Sequence, residues 1–239
     1  MRLKEYVPLP IRRVIRGLRR AVRNCFRLSA LDPAEVVKAN TKEAFEFFWG
    51  HDDYLAQHFL TQDRLAFFEL VADYCIDVLM TPDFAGTVRI ADIGCGTGHT
   101  LEALRRKLAS KCNLELFGLD FASTAISKAR TLLPMATFVV EDIYENRLPS
   151  DFFDLVLCIE TLEHLRWPEK ALVQLLRICK TGGNVVITVP NAEKDSWDGH
   201  VNFWNVSQFS ELLSPYGLVD VKLLWYWQDD MIIMARLTK

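Results

Sequence analysis

The stretch IADIGCGTGHT, Ile90 to Thr100, decides how this chain folds. It completes the apolar run VRIADI that begins at Val88, and then sets Gly94, Gly96 and Gly98 at alternate positions. Glycine weakens a regular element by roughly 0.5–1 kcal/mol, so three in alternation mark a main chain that must bend sharply and approach a ligand closely. Helical spacing resumes after Gly98, which puts the loop between a strand and a helix, the setting a nucleotide-binding turn requires. The spacing is G-x-G-x-G and no Gly-Lys-Ser/Thr follows. A phosphate cradle is therefore disfavoured, and a nucleoside without a pyrophosphate fits better.

Working outward, VRIADI, LELFGLD, TFVVED, FDLVLCI and NVVITVP are short β-rich runs, separated for the most part by helical stretches such as Thr100 to Leu108 and Ser123 to Leu133. Alternating strand and helix predict a parallel sheet covered on both faces. The end of the chain differs: LVDVKLLWYW, then Gln228-Asp229-Asp230, then MIIMARL, predict an antiparallel hairpin that closes the sheet. Residues 33–81 predict two or three helices rich in aromatic residues. Most of those rings belong to a core by their spacing, with His51, Tyr54 and His58 as candidates to line a pocket.

Two more acids stand at matching places, Asp120 at the end of LELFGLD and Asp142 at the end of TFVVED. In an open parallel sheet the carboxyl ends of the strands are where ligands bind. A carboxylate after the second strand can accept both hydrogen bonds of a ribose diol, and one a strand further out can accept from an exocyclic amine. Either acid alone could simply cap the following helix. Three acids in register, counting Asp92, favour a binding role.

On these residues the chain resembles the class I S-adenosylmethionine-dependent methyltransferases. IADIGCGTGHT is similar to the family's first motif, FGLDFAST to its ribose-binding acid with an adenine-stacking residue behind it, VVEDIYE to its adenine-binding acid, and RICKTGGNVVITVPN to its glycine turn before a strand. The resemblance covers Val88 to Pro190 most strongly. It implies an α/β, Rossmann-like doubly wound sheet of seven strands with the last antiparallel, preceded by N-terminal helices. It also implies S-adenosyl-L-methionine as cofactor. Asp92, Gly94, Cys95, Gly96, Thr97 and Gly98 would surround its methionine part, Asp120 the ribose, Phe121 one face of the adenine, Asp142 the adenine amine, and Ile143 would complete the adenine slot.

A second constellation follows the fourth strand. CIETLEHL places Glu160, Glu163 and His164 at i, i+3 and i+4, one face of a short helix that starts at the ligand edge, and His200 after the fifth strand can return to the same mouth. Two carboxylates and two imidazoles suit a divalent cation with open positions, Mg²⁺, Mn²⁺, Zn²⁺ or Fe²⁺. Such a cation would acidify a substrate hydroxyl and hold its oxygen for in-line attack on a methyl group. His164, Glu160 and His200 are then the candidate catalytic residues. The plain alternative is His164 alone as general base. ETLEHL, with the later His200 segment and its following helix, resembles ubiquinone-biosynthesis-type O-methyltransferases and related bacterial methyltransferases. It also resembles metal-dependent 2′-O-methyltransferases of RNA 3′ ends. A third reading is a methyltransferase-fold binding protein without catalysis, against which the intact loop and acids stand.

Charge separates these readings. Residues 1–28 hold nine Lys or Arg against one Glu, leaving 19 against 30 in the remainder. The acidic body offers no basic groove, which disfavours nucleic acid, while apolar positions between Ile11 and Phe26 alternate with arginines as on an amphipathic helix. The expected organisation is a basic segment, residues 1–32, that meets an anionic membrane surface through residues 10–28. A methyltransferase domain, residues 33–239, with a helical lid at 33–81, would follow. Six scattered cysteines without a C-x-x-C pair read as reduced core residues. No apolar run approaches the ~18 residues of a membrane span. The expected location is cytoplasmic, peripheral to the membrane, and the expected acceptor a hydroxyl of a small-molecule, lipid-linked or glycan compound.

Overall fold

The computed structural model describes residues 32–79, 86–227 and 230–239. The basic segment with its candidate membrane face at residues 10–28, and residues 228 and 229 of the expected hairpin turn, lie outside the described residues.

Seven strands form one sheet: β1 (Thr87–Ile93), β2 (Asn113–Asp120), β3 (Thr137–Val140), β4 (Phe153–Ile159), β5 (Cys179–Pro190), β6 (Leu218–Trp227) and β7 (Asp230–Thr238), in the order β3-β2-β1-β4-β5-β7-β6. All neighbours from β3 through β5 pair in parallel. β7 runs antiparallel between β5 and β6, so the sheet has the six-plus-one arrangement that the sequence predicts. The strand order reverses between β1 and β4. That reversal opens a crevice at their carboxyl ends, where the loops after the two strands meet.

Alternation along the strands splits the core into two layers, as it must when both faces of a parallel sheet are covered. Ile90, Leu155 and Leu157 point to one layer, which also buries Phe67 and Val71 of α3 (Gln62–Leu79) and Leu101 and Leu104 of α4 (His99–Leu108). Ala91, Val156 and Cys158 point to the other, against Leu172 and Leu175 of α6 (Pro168–Ile178) and Phe209 of α7 (Val206–Leu213). α5 (Ser123–Leu132) follows β2 and buries Ala125, Ile126 and Ala129.

Two expectations are corrected here. Gly182 and Gly183 lie inside β5, at the register shift where Phe153 pairs with Cys179 but Leu155 with Asn184, and not in a turn ahead of the strand. Glu160 is also not part of a helix with Glu163 and His164. Its φ of 49° takes it out of the right-handed helical region, and only Leu162–His164 form a 3₁₀ turn.

Ahead of the sheet, α1 (Pro33–Val37), α2 (Lys42–Trp49), a helical turn at Asp52–Tyr54 with a π-helical turn at Leu55–Phe59, and α3 lead across the ligand edge. Thr41 and Asp32 cap the first two helices through Ala44 N–H and Ala34 N–H, the reason helices start there. Among the described residues no helix is long and apolar enough to cross a membrane. The described cysteines, Cys75, Cys95, Cys112, Cys158 and Cys179, are free.

Candidate active site

Gly94, Gly96 and Gly98 have φ of 81°, 51° and 83°, the left-handed region that glycine enters without strain. Close approach adds to the demand: a Cβ on Gly94 would collide with Thr161 after β4, and one on Gly96 would lie 3.2 Å from the Trp49 ring. The loop is anchored by Gly94 N–H and Cys95 N–H, which donate to Leu119 O at 2.7 and 3.0 Å. It lines a cavity of about 610 Å³ that also includes Asp92, Thr97, Asp120, Phe121, Asp142 and Ile143. Apart from Gly98, the residues that the resemblance assigns to the cofactor thus border one space.

Asp120 accepts from Gly96 N–H through Oδ2 and from Ala122 N–H through Oδ1, both at 2.9 Å. It therefore fixes the loop, and a carboxylate has about four acceptor positions, so two remain for a diol. Burial pushes its pKa up to about 6, against the pull of the Ala122 and Gly96 N–H groups. Asp92 is 1% exposed, and its Oδ1 has no hydrogen-bond partner. Burial, with the nearby Asp120 charge, raises it to about 7. An orphaned buried carboxylate oxygen beside a glycine cradle calls for a cationic donor, and the ammonium of a methionine group supplies one. Asp142 Oδ1 caps the following turn through Tyr144 N–H at 2.8 Å, and the residue also borders the cavity.

Across the crevice, Glu163, His164 and His200 offer ligand atoms that all lie within 4.8 Å of one another. The sequence separates them by up to 37 positions, and β5 with the loop after it closes that gap: Val201 N–H and Asn202 N–H donate to Glu163 O at 2.9 and 3.1 Å. Glu163 is 2% exposed with Oε2 unpartnered, and His164 Nδ1 is likewise buried and unpartnered. Burial, reinforced by the neighbouring Glu160 charge, raises the Glu163 pKa well above the usual range. Burial, with His200 beside it, lowers His164 to about 3, so its ring is neutral and free to ligate. His200 Nδ1 lies 2.5 Å from Asp195 Oδ2, which leaves Nε2 as the ligating nitrogen. One buried carboxylate and two half-buried imidazoles, with Glu163 Oε2 and His164 Nδ1 unpartnered, fit a divalent cation.

Glu160 stands apart from this cluster. Its N–H donates to Thr188 O and Thr188 Oγ1, both at 3.1 Å, and its Oε1 accepts from Thr188 Oγ1 at 3.0 Å. These contacts hold a residue in a backbone conformation that costs about 1–3 kcal/mol, a strain that is concentrated at functional sites.

The helices ahead of the sheet contribute residues that no motif announced. Glu46 on α2 accepts from Ser123 N–H at 2.6 Å, Thr124 N–H at 2.8 Å and Thr124 Oγ1 at 2.6 Å, and so caps α5, whose own N-cap Ala122 has no side chain to do it. Burial works to raise its pKa, but the Thr124 and Ser123 hydrogen bonds outweigh that and hold it at about 2. Phe45 meets Phe121 at 5.3 Å and His164 at 5.5 Å, both edge-on, and so bridges the Phe121 side of the cavity and the second constellation. Asn40 donates to His164 O at 2.6 Å. Only the aromatic density of EAFEFFW hinted at this, and it reads equally as core.

Sheet order, glycine loop and the acids around one cavity are the arrangement of the class I S-adenosylmethionine-dependent methyltransferase domain, which this chain resembles in fold. Residues 91–187 match the family model described as a methyltransferase domain. The chain is 28% identical over 185 residues to the 2-methyl-6-phytyl-1,4-hydroquinone methyltransferase of Synechocystis sp., covering 72% of this chain and 54% of that protein. It is 34% identical over 116 residues to the ubiquinone biosynthesis O-methyltransferase of Alkalilimnicola ehrlichii, covering 46% and 44%. The chain thus spans about half the length of these two relatives. Among solved structures it is similar in fold to the plantazolicin methyltransferase BpumL in complex with S-adenosylhomocysteine, with a TM-score of 0.59, 19% identity and coverage of 86% and 98%. The CurJ carbon methyltransferase gives a TM-score of 0.67 at 17% identity, covering 87% of this chain and 62% of that one.

Proposed function

We propose that this chain transfers the methyl group of S-adenosylmethionine to a hydroxyl oxygen of a small aromatic or lipid-linked acceptor, assisted by a divalent cation at Glu163, His164 and His200. The observation that carries the reading is the single cavity, which joins the glycine loop and Asp120 on one side to the three ligand side chains on the other. Relatives named for hydroquinone and ubiquinone methylation support an oxygen-bearing ring as acceptor. When bound, the cation supplies Lewis acidity that lowers the hydroxyl pKa. The chain's own residues do the rest. The Gly94–Gly98 loop and Asp120 fix the donor, Phe45 and Trp49 close the cavity against water, and Asp195 keeps the His200 ring in place. The hydroxyl proton passes to Glu160 as oxygen forms its bond to the methyl carbon. The carbon–sulfur bond breaks and leaves S-adenosylhomocysteine.

The test is turnover on catechols and hydroquinones of increasing chain length, with and without chelator, for wild type and for single alanine variants at Glu163, His164 and His200. Each variant should lose activity about 10- to 100-fold or more while still binding S-adenosylmethionine, and chelator should reproduce the loss. Chelator-insensitive turnover with near-normal Glu163→Ala and His200→Ala variants would remove the cation and leave His164 as a lone base. For residues 10–28, the nine basic residues among the first 28 support attachment to an anionic membrane surface. Flotation with anionic liposomes at low salt, with and without residues 1–28, tests it.

A further inference from the structure

Helix α3 presents one charged side chain to the cavity that neither the fold nor the proposed transfer uses. The Arg64 guanidinium carbon lies 5.2, 5.1 and 5.8 Å from the ring centroids of Phe59, Phe67 and Phe68. Its Nε is buried with no hydrogen-bond partner. The carboxylate facing it, Glu160 Oε2, is 3.9 Å from Nη1, beyond hydrogen-bond distance. A guanidinium carries five N–H donors in a planar fork. A guanidinium whose only task was to balance Glu160 would dock on it as a two-pronged fork, which this one does not. The aromatic rings fix its plane and position, leaving planar donors available on the wall that also carries Glu160, Glu163 and His164.

We infer that Arg64 is a specificity residue that receives an anionic oxygen group of the acceptor, a carboxylate carried on the same aromatic skeleton as the hydroxyl to be methylated. The inference rests on the reading of oxygen as the methyl acceptor. A planar carboxylate matches the fork, and the three phenylalanines favour an aromatic body beside it. With the carboxylate at Arg64, the hydroxyl end of the acceptor lies along the wall that carries Glu160, Glu163, His164 and His200.

The test uses the full chain loaded with S-adenosylhomocysteine and two probes that differ in one charge, caffeate and its methyl ester. Calorimetric titration of wild type should show caffeate bound about 10- to 100-fold more tightly, the range expected of hydrogen bonds to a charged partner. In Arg64→Met, which keeps an unbranched side chain against the phenylalanines, the preference should shrink to within about twofold. The affinities for the ester and for S-adenosylhomocysteine should hold, which shows that the variant is folded. Arg64→Lys, with the charge but no fork, should retain part of the preference. Equal binding of acid and ester by wild type, a preference that survives in Arg64→Met, or no binding of either probe overturns the inference. Methyl transfer to the same probes, followed by mass spectrometry with S-adenosylmethionine, separates the two readings. Methylation without preference for the acid removes the anion site alone. An Arg64-dependent preference in binding without any methylation keeps the anion site and counts against oxygen transfer.

Discussion

Replacing Glu46 by Ala should loosen α2 from α5 and weaken cofactor binding, although Glu46 touches no part of the proposed cofactor site. Its carboxylate takes three hydrogen bonds from the first turn of α5, and these draw its pKa from an ordinary 4.5 to about 2. At 1.36 kcal/mol per unit that shift corresponds to about 3.4 kcal/mol. Solvent reaches the side chain and screens the contact, so we take about 1–2 kcal/mol, which agrees with the usual loss of a helix cap. A cofactor that binds only the closed form loses affinity by the fraction of molecules left open. The S-adenosylhomocysteine Kd should therefore rise about 5- to 30-fold, read by calorimetric titration, and Glu46→Gln should fall between wild type and Glu46→Ala. The sign with pH follows from a depressed pKa: the contribution is present above 4.5 and lost as pH falls towards about 2. The ratio of the two affinities should thus be flat from pH 6 to 8. A Glu46→Ala protein with a Kd within twofold of wild type and an unchanged melting temperature would refute the clamp.

Two further outcomes follow from the cofactor side of the crevice. Asp92, raised to about 7, and Asp120, raised to about 6, must be ionised to accept from an ammonium and a diol, so cofactor affinity should weaken as pH falls from 8 to 5. By the same linkage the cofactor-free protein should gain stability over that interval, because a raised acid pKa favours folding as protons are taken up. Titrations at several pH values check the first and thermal unfolding without cofactor the second, and Asp92→Asn should flatten the upper part of both. Gly94→Ala combines φ of 81° with a collision against Thr161, whereas Gly182→Ala has φ of 80° and open space. Both carry backbone strain of about 1 kcal/mol or more, and Gly94→Ala should lose clearly more stability and cofactor affinity than Gly182→Ala. Equal melting temperatures for the two variants would show that the close approach at Thr161 does not matter.

The order of strands and helices, the closing hairpin, the glycine loop and the acids at the carboxyl ends of β1, β2 and β3 were all legible in the sequence, because each rests on a local cause. Strand and helix periodicities are written into neighbouring residues, and a left-handed backbone demands glycine wherever it occurs. The pairing of Glu163 and His164 with His200 was legible as far as residue type and strand position could carry it. Helical spacing misplaced Glu160, because nothing near it in sequence reveals that Thr188, 28 residues on, holds it at φ 49°, outside the turn that carries Glu163 and His164. Asp195 behind His200, Glu46 on the first turn of α5, and Arg64 opposite Glu160 were decided only by tertiary packing. Each joins side chains whose separation in sequence or irregular backbone leaves no period to read, and each is an isolated charged or polar residue that looks solvated until a second element comes to rest against it.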